Sequence, residues 1–220
     1  MIACCGRKDF TNIMNLDLKN YSYEWRKPTD IQQCIKDLID GHPTAQTYLY
    51  SDLQLKRHIE RNPRLLQWPL VRFQYAKLLL TGCLIRLPDG DFDLVERGDK
   101  ERGMAMMLPL AEAGLATAQF EIGWALRPSI FSKNDNEYES TVQWMIKASR
   151  QGYWMAQGYL EGLFEKGKYL FLSDSTLLDF LVEVARFSER CWGACAKTRL
   201  KQMGWNIENL DNMVAEEDEE

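Results

Sequence analysis

Apolar residues along this chain recur mostly at intervals of three and four, the spacing that lines one face of an α-helix. Val142, Met145, Ile146 and Ser149 keep that interval up to Gly152, and Met155, Tyr159, Leu160 and Leu163 keep it again up to Gly167. Glycine and proline punctuate the pattern throughout. Thr29, with Gln32 completing a capping box, opens a helix over about 30–39, and Pro43 opens the next. Leu53 to Arg61 pairs with Pro69 to Thr81, each segment bounded by Pro or Gly. Arg86 to Gly98, with Pro88-Asp89-Gly90, and Arg127 to Asn136, with Pro128 and Asn134-Asp135-Asn136, are predicted to be loops. Ser173 or Ser175 caps a helix over Leu177–Phe187, which pairs with Trp192 to Met203.

Within this pattern one string recurs three times: Gly, three residues, Ala-Gln, two residues, then Leu or Ile. It supplies Gly41, Ala45 and Leu49, then Gly114, Ala118 and Ile122, then Gly152, Ala156 and Leu160. The last two copies start 38 residues apart. The first two are separated by nearly twice that, so a degenerate unit is expected between them. Setting Gly82 on Gly167 places Val71, Tyr75 and Leu79 on Ala156, Leu160 and Phe164. Each Gly of the string falls where a helix ends and a left-handed residue is needed. The Ala four residues later is small because two helices cross closely there. The Leu or Ile lies on the same face as that Ala and fills the core.

The run from Trp144 to Gln157, with Leu110-Ala111-Glu112-Ala113-Gly114 and Ile122-Gly123, resembles the Sel-one-like repeat, a relative of the tetratricopeptide repeat. The pattern departs at Ser149, where a second Ala is usual, and at Glu161, where Gly is usual; in the first copy Asp37 and Leu38 stand in place of paired Ala. The resemblance implies an all-α fold, an αα-hairpin solenoid of about five repeats over 29–205. An N-terminal cap segment, 1–28, precedes it and an acidic tail, 206–220, follows, since end repeats must hide one apolar face. It further implies a non-catalytic module holding a partner protein in the concave groove lined by the first helix of each pair. Helical spacing points Gln33, Lys36, Arg57, Arg102, Met106, Gln143 and Lys147 into that groove. Small bacterial members serve as immunity proteins against cognate secreted toxins, including type VI secretion effectors, so a toxin or effector is one expected partner and an adaptor role the competing one. Extracellular cysteine-rich members are linked to β-lactam binding. Their cysteines pair once per repeat; here the cysteines do not recur at the period, and a repeat-family hydrolase or β-lactam-binding role ranks third.

Composition narrows this further. The chain is 45% hydrophobic and 27% charged, a globular balance. Its net charge of -5 resides in Glu216-Glu217-Asp218-Glu219-Glu220, without which acids and bases balance. No basic excess is present to hold nucleic acid. No apolar run is long enough to span a bilayer, and a reducing cytoplasmic setting is expected. The alternative is a periplasmic lipoprotein anchored at Cys4, if the true start lies upstream of Met1. The six cysteines lack metal-ligand spacing; Cys191 and Cys195, four apart on one helix face, are expected to be buried thiols.

Signs of catalysis are missing. His42 and His58, the two histidines, read as local structural residues, no nucleophile elbow or phosphate-binding glycine loop occurs, and the carboxylate pairs Glu137/Glu139 and Asp91/Asp93 read as solvated loops. No enzyme, metal or cofactor is expected. Of the tryptophans, Trp144 and Trp154 hold aromatic repeat positions and read as core, whereas Trp25, Trp68, Trp124, Trp192 and Trp205 are less constrained, and Tyr21-Tyr23-Trp25 is either a packed cap or a contact.

Overall fold

The computed structural model describes residues 31–40, 53–86, 92–128, 137–188 and 191–208. The described residues are helical apart from one short two-stranded hairpin. In chain order they form α1 (Ile31–Ile39), α2 (Leu53–Arg61), a short 3-10 turn (Pro63–Gln67), α3 (Pro69–Thr81), β1 (Cys83–Arg86), β2 (Phe92–Glu96), α4 (Lys100–Glu112) and α5 (Ala116–Leu126). There follow α6 (Glu137–Arg150), α7 (Trp154–Glu165), a second 3-10 turn (Lys168–Phe171), α8 (Asp174–Phe187) and α9 (Cys191–Gln202). Among these no helix is long and apolar enough to cross a membrane. Gly41, Ala45, Leu49, His42, Thr29, Pro43 and the 1–28 segment lie outside the described residues, as does the tail beyond Glu208.

The chain divides into two compact units, Met1–Ile122 and Gly123–Glu220. In the first, α3 packs chiefly on α4 and also touches α1 and α2. Phe73, Tyr75, Leu78, Met107 and Leu110 are buried in its core. Gly103 sets the closeness of the α3–α4 crossing: a Cβ there would stand 2.9 Å from Leu80 Cγ and 3.1 Å from the Ala76 carbonyl. Between these helices the expected loop over Arg86–Gly98 is instead partly an antiparallel hairpin, pairing Leu84 with Leu94, Ile85 with Asp93 and Arg86 with Phe92. Apolar and polar residues alternate in Phe92-Asp93-Leu94, the period of a strand; Pro88-Asp89-Gly90 lie outside the described residues. Lys56 of α2 ties the hairpin down through an ion pair with Glu96.

In the second unit α6 packs on α7 and on α8, and α8 packs on α9. Phe164, Tyr169, Phe180 and Trp192 make its aromatic core, with Phe164 and Tyr169 stacked at 4.8 Å. Ser173 is the cap of α8, which begins three residues ahead of the expected Leu177. Its Oγ accepts from Thr176 N.

The repeat string acquires a physical form. Gly114 and Gly152 end α4 and α6 at φ of 94° and 80°. In both, the Gly N–H donates three residues back and the next residue's N–H donates five residues back, Leu115 to Leu110 at 3.1 Å and Tyr153 to Ala148 at 3.2 Å. This paired bond needs a left-handed residue, which a side chain would strain. Gly82 also has positive φ, 79°, at the end of α3. Ala118, Ile122, Ala156 and Leu160 are fully buried. The Gln after the Ala has work too: Gln119 Nε2 donates to the Ala111 carbonyl at 3.1 Å, satisfying the end of the preceding helix. At the corresponding place in the degenerate unit, Arg72 Nε donates back to the Leu66 carbonyl, also at 3.1 Å.

Candidate functional site

Five of the seven residues expected in the groove lie in the first unit and two in the second. Gln33, Lys36, Arg57, Arg102, Gln143 and Lys147 are exposed and Met106 is half-buried. Several already serve neighbours. Gln33 donates to Asp37 at 2.6 Å, Arg102 lies 5.5 Å from the centre of the Tyr75 ring, Gln143 donates to Thr176 Oγ1 at 3.3 Å, and Lys147 sits 4.5 Å over Trp144. Each of these contacts is to a residue outside the seven.

Polar side chains converge in two places. In the first unit Lys56 is buried between Glu96 and Glu60, and Tyr75 donates to Glu60 at 3.1 Å. Burial works against the Lys56 charge, but its bond to Glu96 and the nearby carboxylates prevail and hold its pKa above the usual value. Burial raises the Tyr75 hydroxyl, with Glu60 adding to it against Arg102. A second tie, Lys77 to Glu121 at 2.5 Å, joins α3 to α5.

In the second unit a polar seam runs between α6 and α8. Glu139, expected in a solvated loop, belongs to α6; its side chain accepts from Ser173 Oγ at 2.6 Å, Ser173 N at 3.1 Å and Thr176 Oγ1. Burial pushes its pKa up, but these donors outweigh burial and hold it below the ordinary carboxylate range. Further along, Arg150 pairs with Asp179 at 3.1 Å. Ser149 Oγ donates at 2.5 Å to Glu183, which is 0% exposed and also meets Arg186 at 3.0 Å. The second departure from the repeat pattern behaves alike: Glu161 of α7 accepts from Ser188 Oγ at 2.6 Å, at the end of α8. These groups are absorbed in holding helices together.

Several aromatic side chains remain open to solvent. At the end of α5, Trp124 is 41% exposed, and Arg127 lies over its ring at 3.6 Å. Trp124 meets Tyr159 of α7 edge-on at 6.1 Å. Tyr138 of α6 stands within electrostatic reach of Tyr159, and Lys168 lies 5.6 Å from the Tyr138 ring and 5.5 Å from that of exposed Phe171. Burial, then Tyr138, push the Tyr159 hydroxyl up to about 12 against the pull of Arg127, so it is a neutral donor at any physiological pH. The result is a run of rings flanked by a guanidinium and an ammonium. No spacing in the sequence announces it, because its members come from α5, α6, α7 and the turn after α7.

Two expectations about burial are corrected. Trp154, read as core, opens α7 and is 52% exposed. Cys191 and Cys195 share a face of α9 as expected, but both are exposed, whereas Cys34 and Cys83 are buried; none of the four is in a disulfide. Helical spacing shows which residues share a face and not which face is covered. Among the described residues no three His, Cys, Asp or Glu side chains are grouped as they would be around a metal ion. His58 is half-buried on α2.

No family model, no curated protein and no solved structure matches this chain.

Proposed function

We propose that this protein is a non-catalytic protein–protein interaction module, a stack of Sel-one-like αα-hairpins that holds a partner protein. The observation that carries the reading is the open aromatic surface around Trp124, with Arg127 on its ring. Trp, Tyr and Arg are enriched among the residues that anchor protein interfaces, and the two rings bury large area at low entropic cost. The titratable groups that helix packing brings together are engaged in ties between helices, which supports a scaffold over a reaction centre. A narrower form of the same reading is neutralisation of a cognate secreted toxin; an adaptor is the broader one.

The test is affinity capture with tagged chain, comparing the native protein with Trp124→Ala and Arg127→Ala. An interface anchor of this kind contributes about 2 kcal/mol or more, so the native chain should retain a protein that the Trp124→Ala chain releases about thirtyfold more readily at an unchanged thermal midpoint. One stoichiometric partner marks the neutralising role and several weak ones the adaptor. Equal retention by both chains removes the aromatic surface from the reading, and substrate turnover by the isolated protein removes the reading itself.

A further inference from the structure

Arg127 and Lys168 rest on rings rather than on acids. The Arg127 guanidinium lies 3.6 Å over the Trp124 ring, and the Lys168 ammonium stands 5.6 Å from the Tyr138 ring and 5.5 Å from that of Phe171. Among the described residues neither cation is in an ion pair with a carboxylate. Two other cations of the same unit, Arg150 and Arg186, each reach one, Asp179 and Glu183. The Tyr159 hydroxyl is within electrostatic reach of both Arg127 and Tyr138, and it too has no hydrogen-bond partner among the described residues. All of these residues belong to the unit Gly123–Glu220.

A guanidinium laid flat on an indole engages the ring with its face and keeps its N–H edge for an acceptor. One bond to that edge is present, at 3.4 Å to the Trp124 carbonyl, which leaves most of the fork open. Stacking holds the fork in place before a ligand arrives, so less side-chain freedom is lost on binding. Tyr159 adds a hydroxyl donor and Lys168 a second charge. The ligand that completes this set carries two oxyanions joined by apolar or aromatic carbon. Rings beside cations also suit single-stranded nucleic acid. Such a strand is held by neutralising many phosphates, however, and two cations on a chain of net charge -5 supply few. An acidic peptide needs only two carboxylates.

We infer that this surface takes an acidic segment of the partner protein, one carboxylate in the Arg127 fork, a second beside Lys168, and an aromatic or long apolar side chain against Trp124. The inference rests on the reading of the Trp124 surface as an interface and adds the chemistry of what binds there.

Panning a displayed library of random dodecapeptides on the folded full chain tests that chemistry without the natural partner. The native protein should enrich peptides with Asp or Glu flanking Trp, Tyr or Phe. Arg127→Glu/Lys168→Glu should enrich Lys and Arg at those places instead, and Trp124→Ala should enrich neither. For the best native peptide, fluorescence anisotropy should show binding at least about tenfold weaker to Arg127→Ala, the scale of a lost hydrogen-bonded charge. The same loss should follow when the peptide's Asp and Glu become Asn and Gln, an exchange that alters no atom of the protein. Arg127→Lys, which keeps the charge and loses the fork, should fall between native and Arg127→Ala. Should a protein variant have a lowered thermal midpoint, the amide peptide decides. Enriched peptides without acids, unchanged binding of the amide peptide, acidic peptides held equally by the charge-reversed chain, or tighter binding of oligouridylate overturns the inference. Failure of the native chain to enrich any peptide overturns it too, while a protein captured only when Trp124 is present would leave the interface reading standing.

Discussion

The contact between α3 and α4 and the contact between α6 and α8 solve one problem by opposite means. Each joins two helices of one compact unit. In the first, a glycine lets backbones approach until Gly103 lies against the Leu80 and Ala76 main chain, with Tyr75, Leu79, Met107 and Leu110 buried around it. In the second, the helices are joined by Glu139 to Ser173 and Thr176, Ser149 to Glu183, and Arg150 to Asp179. A close apolar crossing gains from packing alone and tolerates no added volume. A polar seam gains little net energy per bond, but each bond is costly to break by halves, because the abandoned partner stays buried. The first contact is therefore sensitive to size and the second to the loss of one partner.

The largest effect should come from Arg186→Met. It leaves the Glu183 carboxylate, 0% exposed, without its cation, and a buried charge so stranded costs about 3–5 kcal/mol. Replacing the acid and its donor together, Ser149→Ala/Glu183→Leu/Arg186→Met, should recover most of that loss, since a well-packed apolar substitute is often no worse than the ion pair. Urea unfolding of the single and triple variants checks both; a triple variant as unstable as the single one would mean that the seam stabilises through the ions themselves. Next in size is Gly103→Ala, for which overpacking against Leu80 predicts a loss of about 1–3 kcal/mol. Gly158→Ala in α7 is its control: a Cβ there meets nothing within 4 Å, so the same exchange should be neutral or stabilise by up to about 1 kcal/mol. If both glycines respond alike, close approach is not what distinguishes the α3–α4 contact.

The same contrast explains what could be read from the chain. Gly114 and Gly152 announce helix ends because the left-handed turn is a local demand that the residue type itself meets. Ala118 and Ala156 lie where the repeat string expects small buried residues. Gly103 gives no such sign, since its role depends on Leu80, more than twenty residues away, and a mid-helix glycine reads only as a weak helix former. The β1–β2 pairing is hidden in the sequence because Pro88-Asp89-Gly90 suggest a loop before the alternation in Phe92-Asp93-Leu94 is weighed. Ser149 and Glu161 stand out as departures from the repeat pattern in its third copy, and both bond to residues in or at the end of α8. A departure from a repeat is thus legible as an exception while its partner is not. The surface around Trp124 lies wholly beyond local reading, because three helices and a turn contribute to it.

Glu139 offers the gentlest way to part the two contacts, because pH acts on one and spares the other. Its pKa is held below the ordinary carboxylate range by hydrogen bonds from Ser173 and Thr176, which prefer the charged form and outweigh burial. A group whose pKa is depressed on folding stabilises the protein fully above its unfolded value, and that contribution disappears as pH falls through the folded value. Acidification through and below the usual carboxylate range should therefore weaken the second unit at the α6–α8 seam. Glu139→Gln should cost about 1 kcal/mol at neutral pH, the net scale of one ordinary hydrogen bond, and should flatten this part of the acid dependence. The Gly103 crossing contains no carboxylate among the atoms that set its distance, so Gly103→Ala should lower stability by the same amount at neutral pH and near pH 4. Hydrogen exchange of α8 amides, measured at both values in native and Glu139→Gln chains, reads the seam directly. Acid opening of α8 that persists unchanged in Glu139→Gln would move the pH-sensitive group elsewhere and leave the seam no more responsive to protons than the glycine contact.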